Sequence, residues 1–193
     1  MYKKQMTLQR ITSFLLLAAA VLVFVYSLGI MTDLYDSLYL ISSYKESSRN
    51  FVEGAIVYRD MQPFNQQLTK AGIILILSAV SLFVFRTHDR RKYYIANYIT
   101  IGVNAVLNIA VSIWALTNVF AYKAQFLLID FDRLFEVAQK YRVNATDSTF
   151  WFDASIVVFA LLLLTTIISI GNLVFKIVVM RAERALIEEG KEG

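Results

Sequence analysis

The chain has 193 residues, of which 58% are hydrophobic and 18% are charged, and its mean hydropathy is +0.55. This composition is far from that of a soluble globular domain and favours an integral membrane protein. The sequence contains no cysteine, which excludes disulfides, thiolate metal sites and cysteine nucleophiles.

The first predicted membrane span covers residues 11–32, which are uncharged between Arg10 and Asp33. A helix of about 20 apolar residues crosses a hydrocarbon core of about 30 Å. The run is too long for the apolar region of a signal peptide, so we interpret it as a retained span behind a short basic leader. Residues 33–65 follow as the first outer segment, which we expect to begin as a helical continuation of the span.

The second predicted span covers residues 66–86. Its uncharged core, Ala71–Phe85, is short and borrows a turn from the preceding residues, with Lys70 extending towards the headgroups. Pro63 marks the approach to this span, and residues 51–59 before it are expected to form a short strand or a turn.

The third predicted span, residues 95–122, carries a polar stripe. Asn97, Thr100, Asn104, Asn108 and Ser112 recur at helical spacing on one side, and Asn118 lies near the edge of that side. An amide that faced lipid tails would lack hydrogen-bond partners. The stripe is therefore predicted to face other helices or an internal cavity.

Residues 123–152 form the second predicted outer segment and contain a strongly amphipathic helix. Its apolar face comprises Leu127, Phe131, Leu134, Phe135, Ala138 and Tyr141. Neither glycine nor proline separates this helix from the third span. We expect a bend at residues 121–124 that lays the helix over the bundle, in preference to one continuous rod.

The fourth predicted span covers residues 153–179, with aromatic residues at its start at the depth of the membrane interface. Thr165, Ser169, Asn172 and Lys176 align on one face and match the stripe of the third span. The predicted intramembrane stripe thus comprises Asn97, Asn104, Asn108, Ser112, Asn118, Thr165, Ser169 and Asn172.

The distribution of charge predicts orientation. Segments 1–10, 86–94 and 176–193 hold 11 of the 19 basic residues and 5 acids, whereas the longer segments 33–70 and 123–153 hold 8 basic residues and 10 acids. This is the positive-inside pattern, which places both termini in the cytoplasm. The basic excess is a topological signal, so no nucleic-acid partner is predicted. An outer domain without disulfides favours a bacterial source.

The stripe has two interpretations. Its amides could line a solute path or hold a headgroup, or they could hold helices together through hydrogen bonds, which we favour. No ionisable residue lies deep within a predicted span, whereas proton- and ion-coupled transporters usually place such groups at mid-membrane.

The remaining ionisable residues have simpler explanations than chemistry. Asp130, Asp132 and Glu136 lack the glycine-turned loop of a calcium hand, and His88 is a single histidine in a basic turn. No catalytic residue, metal site or cofactor is therefore predicted, and the chain is not expected to be an enzyme.

The outer segments are rich in tyrosine and mixed charge, a composition that is enriched where proteins meet. The candidate outer interface comprises Tyr35, Tyr39, Phe131, Phe135, Tyr141 and Trp151. The layout of spans and outer segments resembles that of tetraspan proteins such as claudins and tetraspanins, in topology alone, because their cysteines and the claudin Gly-Leu-Trp signature are absent.

Together these patterns predict an all-α membrane protein: a four-transmembrane-helix bundle with a small, mainly helical extracytoplasmic domain, forming a single membrane domain over residues 1–193. We expect a multi-pass protein of the cytoplasmic membrane whose partners are the bilayer and another integral membrane protein. The predicted function is a non-catalytic accessory or scaffolding subunit of a bacterial membrane complex, with a transporter as the expected partner. The alternative is a small solute or lipid carrier with a polar cavity lined by the asparagines of spans three and four.

Overall fold

A computed structural model describes residues 2–32, 48–85 and 94–192. These residues form five helices and no extended strand. The helices are α1 (Tyr2–Thr32), α2 (Ile56–Val84), α3 (Tyr94–Phe126), α4 (Phe131–Tyr141) and α5 (Phe150–Glu192).

Four of these helices are long and apolar enough to cross a membrane, which confirms the predicted number of spans. Their apolar stretches are Lys3–Ile30, Ile56–Val84, Ile95–Phe126 and Phe150–Ala182. At about 1.5 Å per residue, each exceeds the thickness of a hydrocarbon core of about 30 Å. The four helices suggest a multi-pass membrane protein.

The long helices pack as a ring in which α1 contacts α2 and α5, and α3 contacts the same two helices. Helices α1 and α5 run antiparallel, because Gln5 near the start of α1 meets Asn172 late in α5, while Tyr26 late in α1 meets Trp151 at the start of α5. We name the end that contains Gln5 the lysine end, after Lys176, and the opposite end the α4 end.

Large apolar side chains cover the outside of this ring. Val106 and Ile113 on α3 and Ile167 on α5 are 67%, 62% and 65% exposed. Polar groups, in contrast, are concentrated inside it, where sixteen polar or charged residues are buried among those that the structure describes. An apolar outside with amides inside is the arrangement expected of a helix bundle surrounded by lipid.

Aromatic side chains fill the α4 end of the bundle. Phe126 is fully buried, and its ring packs against the rings of Tyr58, Phe131 and Phe152 at centroid distances of 6.5, 5.2 and 5.2 Å. These contacts tie together α2, α3, α4 and α5. The short helix α4 therefore rests on the bundle through the last residue of α3.

The break between α3 and α4 lies at residues 127–130, beyond the bend predicted at 121–124. Asp130 determines its position, because its side chain accepts a hydrogen bond from the Arg133 N–H at 3.1 Å and caps α4. The Asp130 N–H also donates to the Glu53 carbonyl at 3.1 Å. The second contact holds the turn against the segment that precedes α2.

Helix α2 begins at Ile56, well before the span boundary predicted at residue 66. The segment before it forms turns and no extended strand, and Gly54 adopts a φ of +77°. Pro63 lies inside the helix, where its missing N–H leaves one backbone hydrogen bond unmade without ending the helix. The predicted outer segment 33–65 thus contributes its last ten residues to α2.

Candidate functional site

Two groups of polar side chains lie inside the bundle, and the first spans three helices. Asn104 on α3 donates from Nδ2 to Ser78 Oγ on α2 at 3.0 Å. Asn108, one turn further along α3, donates from Nδ2 to Asn104 Oδ1 at 3.1 Å and to Thr166 Oγ1 on α5 at 2.9 Å. We name Ser78, Asn104, Asn108 and Thr166 the amide ladder; it connects α2 to α3 and α3 to α5.

The second group surrounds Lys176 of α5, which is only 2% exposed. Its Nζ donates to Gln9 Oε1 on α1 at 3.1 Å and to Asn97 Oδ1 on α3 at 2.5 Å, and it lies 5.7 Å from the centre of the Tyr98 ring. Asn97 in turn donates from Nδ2 to the Phe85 carbonyl at the end of α2, at 3.1 Å. The ammonium is therefore held among amide oxygens and an aromatic face.

Gln5 extends this second group along α1. Its Nε2 donates to Gln9 Oε1 at 3.4 Å and to Asn172 Oδ1 at 3.3 Å. Gln5, Gln9, Asn97 and Asn172 are each no more than 2% exposed. We name these four residues and Lys176 the lysine cluster; through it α1 contacts α5, and α5 contacts α3.

Helical spacing and antiparallel packing explain why these residues meet. Gln5 and Gln9, Asn104 and Asn108, and Asn172 and Lys176 are each four residues apart, so each pair lies on one face of its helix. Because α1 and α5 run in opposite directions, the first pair faces the last pair at the lysine end.

The other predicted stripe residues bond within their own helices or are simply buried. Ser112 donates to the Asn108 carbonyl at 2.7 Å, and Thr165 donates to the Leu161 and Leu162 carbonyls. Half-buried Asn118 donates to the Trp114 carbonyl at 2.8 Å. Ser169 is 4% exposed. Of the eight predicted residues, Asn97, Asn104, Asn108 and Asn172 thus contact a neighbouring helix through their side chains.

The described residues of the predicted outer interface differ in exposure, and the rings of Phe131 and Phe135 lie 6.4 Å apart. Tyr35 and Tyr39 lie outside the described residues. Phe131 and Trp151 are partly buried: Phe131 packs on Phe126, and Trp151 lies against Tyr26 and Gly29.

Phe135 and Tyr141 are the described members of that interface that are exposed, at 40% and 45%. The Tyr141 hydroxyl accepts a hydrogen bond from Asn50 Nδ2 at 2.5 Å, which attaches the end of α4 to the segment before α2. This surface therefore combines a hydrogen-bonded tyrosine with a phenylalanine whose ring packs on Phe131.

Sequence reasoning missed Gln5 and Gln9 of the lysine cluster and the buried Asn65 of α2. Gln5 and Gln9 belong to a stretch interpreted as a leader, although their spacing of four residues signals a shared polar face. The sequence aligns Lys176 with the polar face of the fourth span and also counts it with the inner basic segment 176–193, and the fold buries it among helices. Asn65 on α2 is 1% exposed, and neither side-chain atom has a hydrogen-bond partner among the described residues.

The chemistry of both groups is that of neutral amides, hydroxyls and one ammonium. Such groups donate and accept hydrogen bonds, fix helix positions and can bind a small polar species. The described residues contain no group of three or more His, Cys, Asp or Glu side chains arranged to hold a metal ion. The chain matches no family model, no curated protein sequence and no solved structure.

Proposed function

We propose that this chain is a non-catalytic accessory or scaffolding subunit of a bacterial membrane complex, with a transporter as its expected partner. The observation that carries the proposal is the amide ladder. Its side chains bond α2 to α3 and α3 to α5, so the polar groups near the middle of the bundle are used to hold helices together. Because the interior polar groups are used in hydrogen bonds between helices, we assign the function to the outer surface of the bundle, where a partner can bind.

The α4 end offers such a surface. Leu127 and Leu128, in the turn between α3 and α4, are 57% and 74% exposed, and Phe135 and Phe150 are 40% and 63% exposed. The turn is held in place by the Asp130 contacts, and Arg133 donates to the Arg49 carbonyl at 2.8 Å. Exposed apolar and aromatic residues on a well-anchored backbone are typical of protein contact sites.

The orientation belongs to the same proposal. The basic segments 1–10 and 86–94 and the C-terminal tail support a cytoplasmic location for the lysine end, and the α4 end would then lie outside. Because the chain has no cysteine, single introduced cysteines can report this directly. A Ser148→Cys variant should react with an impermeant maleimide on intact cells, and a Thr7→Cys variant should react only after lysis. The reverse pattern would refute the orientation.

The scaffold proposal is tested by purification. Tagged protein extracted in mild detergent should elute with a second membrane protein that mass spectrometry identifies. A Leu128→Gln variant should lose that protein, while Gln139→Ala, an exposed control on α4, should keep it. Elution as a lone monomer in several detergents would contradict the proposal.

The carrier alternative is supported by a different observation. Gln9 Nε2 and Asn172 Nδ2 are buried and have no acceptor in the described part of the chain, so the interior does not satisfy all of its own donors. In proteoliposomes, a carrier would show solute or lipid flux that falls when Asn104 and Asn108 are both converted to leucine. Flux that is unchanged by this double substitution would remove the alternative.

A further inference from the structure

Helix α3 exposes apolar side chains further towards the α4 end than α2 does. The exposed surface of α2 becomes polar at Lys70 and Gln66. Measured from the hydrogen bond between Ser78 and Asn104, Lys70 lies eight residues, or about 12 Å, towards the α4 end, and Phe120 lies sixteen residues, or about 24 Å, in the same direction. Phe120 is nevertheless 50% exposed. A bilayer whose hydrocarbon ends near Lys70 leaves this ring uncovered by lipid tails, so a protein partner is the expected cover.

An ion pair lies beside this exposed ring and joins α3 to α5. Lys123 Nζ of α3 lies 2.5 Å from Asp153 Oδ1 of α5, and the two side chains are 28% and 49% exposed. Phe120 lies one turn from Lys123, and Val157, which is 61% exposed, lies one turn from Asp153. The ion pair therefore has an exposed apolar side chain next to it on each helix.

The same outer faces of the two helices continue to a glycine. Gly102 lies 18 residues from Phe120, and Gly171 lies 18 residues from Asp153, which is five full helical turns in each case. Both glycines lie between the lysine cluster and the amide ladder, so they are at a similar depth in the bundle. No charged residue occurs in residues 102–120 or 154–171. We name this surface the α3–α5 face and define it by Gly102, Phe120, Lys123, Asp153, Val157 and Gly171.

We propose that a second copy of this chain packs on the α3–α5 face and forms a dimer whose two-fold axis is parallel to the membrane normal. Two copies that insert in the same orientation and share one self-complementary patch are related by such an axis. The axis places Lys123 of each copy opposite Asp153 of the other copy, at the same depth. The four charges then alternate in sign around the axis, so each charge keeps its own partner and gains a second one.

The α3–α5 face is large enough for a specific interface. It extends over about 27 Å of two helices that are each about 10 Å wide, which gives about 500 Å² per copy and about 1,000 Å² in the dimer. A specific interface buries at least about 1,000 Å². In the middle of this face Ile113 and Leu164 are 62% and 54% exposed and supply apolar contacts.

The dimer is independent of the scaffold function. The α3–α5 face lies on the side of the bundle, whereas the contact with another protein is assigned to the α4 end, whose exposed residues Leu128 and Phe135 are not part of this face. Dimerisation is scored between two tagged copies of this chain, and the scaffold function is scored by recovery of a different protein. Failure of one proposal is therefore distinguishable from failure of the other.

Disulfide cross-linking in native membranes tests the geometry, since the chain has no cysteine of its own. Chains with Gly102→Cys and Gly171→Cys carry different tags and are oxidised after co-expression. An added Cβ at either position meets no atom of the described residues within 4 Å, so a cysteine fits there. We expect a disulfide that joins the two tags, because the axis brings α3 of one copy against α5 of the other. The control pairs Gly171→Cys with Leu77→Cys, a position on α2 that is 64% exposed, and should give no such product.

Charge exchange between two chains tests the alternating charges. Lys123→Glu leaves two negative charges on the face, and Asp153→Lys leaves two positive charges. Each variant alone should associate with itself at least about 10-fold more weakly than the parent chain, because like charges then meet across the axis. Co-expression of the two variants should restore co-purification of their tags. The matched control is Lys70→Glu on the exposed surface of α2, which should associate as the parent does.

Each outcome decides the proposal. A role of the ion pair within one chain cannot produce the rescue, since both variants lack their own pair, so rescue by mixing together with the Gly102–Gly171 disulfide supports the dimer. Absence of that disulfide, or an equal yield from the Leu77 control, overturns it. Cross-linking without rescue by mixing overturns the charge arrangement and with it the proposed axis. Recovery of a different membrane protein that Lys123→Glu loses would assign the face to another partner and would also overturn the dimer.

Discussion

Replacing Asn108 with leucine removes the central donor of the amide ladder while keeping the size of the side chain. The Asn108 amide donates to Thr166 across the α3–α5 interface at 2.9 Å and to Asn104 along α3 at 3.1 Å. Its loss leaves the buried Asn104 Oδ1 without that donor, while Thr166 Oγ1 keeps its own bond to the Leu162 carbonyl at 2.7 Å. The damage is therefore greatest at Asn104 and at the contact between α3 and α5.

The expected magnitude follows from these two contacts. An interhelical hydrogen bond in a membrane protein contributes about 0.6 kcal/mol on average and about 1.7 kcal/mol at most. An acceptor left buried without a donor adds about 1 kcal/mol. Asn108→Leu should thus lower the free energy of unfolding by about 1.6–2.7 kcal/mol, of which the contact to Thr166 accounts for about 0.6–1.7 kcal/mol.

A double-mutant cycle isolates that contact. Unfolding free energies are measured in mixed micelles for Asn108→Leu, Thr166→Val and the double variant, and the non-additive part reports the hydrogen bond. The control cycle pairs Asn118→Leu with Thr166→Val, because the Asn118 side chain donates to the Trp114 carbonyl of its own helix and to no other group among the described residues. A coupling energy near zero for the Asn108 pair, or one as large for the Asn118 pair, would refute the role assigned to the ladder.

Two glycines allow close backbone approaches that a side chain would prevent. Gly72→Ala would place a Cβ 3.0 Å from Phe24 Cα of α1 and should therefore lower Tm. The control is Gly102→Ala, which has no neighbouring atom within 4 Å and should leave Tm unchanged or raise it through better helix propensity. Equal changes in Tm for the two variants would contradict this prediction. Gly54→Ala combines a φ of +77° with a Cβ 2.8 Å from the Leu128 carbonyl oxygen, so it should destabilise by about 1–3 kcal/mol and speed proteolysis between α3 and α4. Unchanged cleavage there would show that the turn does not depend on this approach.

The architecture could be predicted because a bilayer imposes simple demands on a sequence. Runs such as residues 11–32 and 95–122 are uncharged and long enough to span, and a spanning segment must bond its own backbone, so each had to be a helix. The inward direction of Asn104 and Asn108 could be predicted for a similar reason, since their helical spacing puts both on one face and lipid offers an amide no partner.

The boundaries of the helices were less predictable. The end of α3 at Phe126 depends on Asp130, whose side chain caps α4 and whose N–H bonds to Glu53, a residue far away in the chain. The early start of α2 at Ile56 likewise depends on Gly54 fitting against the backbone of residues 128–129. Contacts between distant segments decide where these helices begin and end, and such contacts cannot be inferred from the periodicity of the sequence.

The sequence alone determines that the chain is helical and that four of its helices are apolar enough to cross a membrane. It also determines that Asn97, Asn104 and Asn108 share one side of their helix. These properties follow from local periodicity and from the solvent around each segment. Only the tertiary structure decides which polar groups meet. Gln5 and Gln9 lie more than 160 residues from Asn172 and Lys176 in the chain, and the antiparallel packing of α1 on α5 brings them together. The lysine cluster is a consequence of that packing, since a helix specifies which residues share a face but not which helix the face will meet.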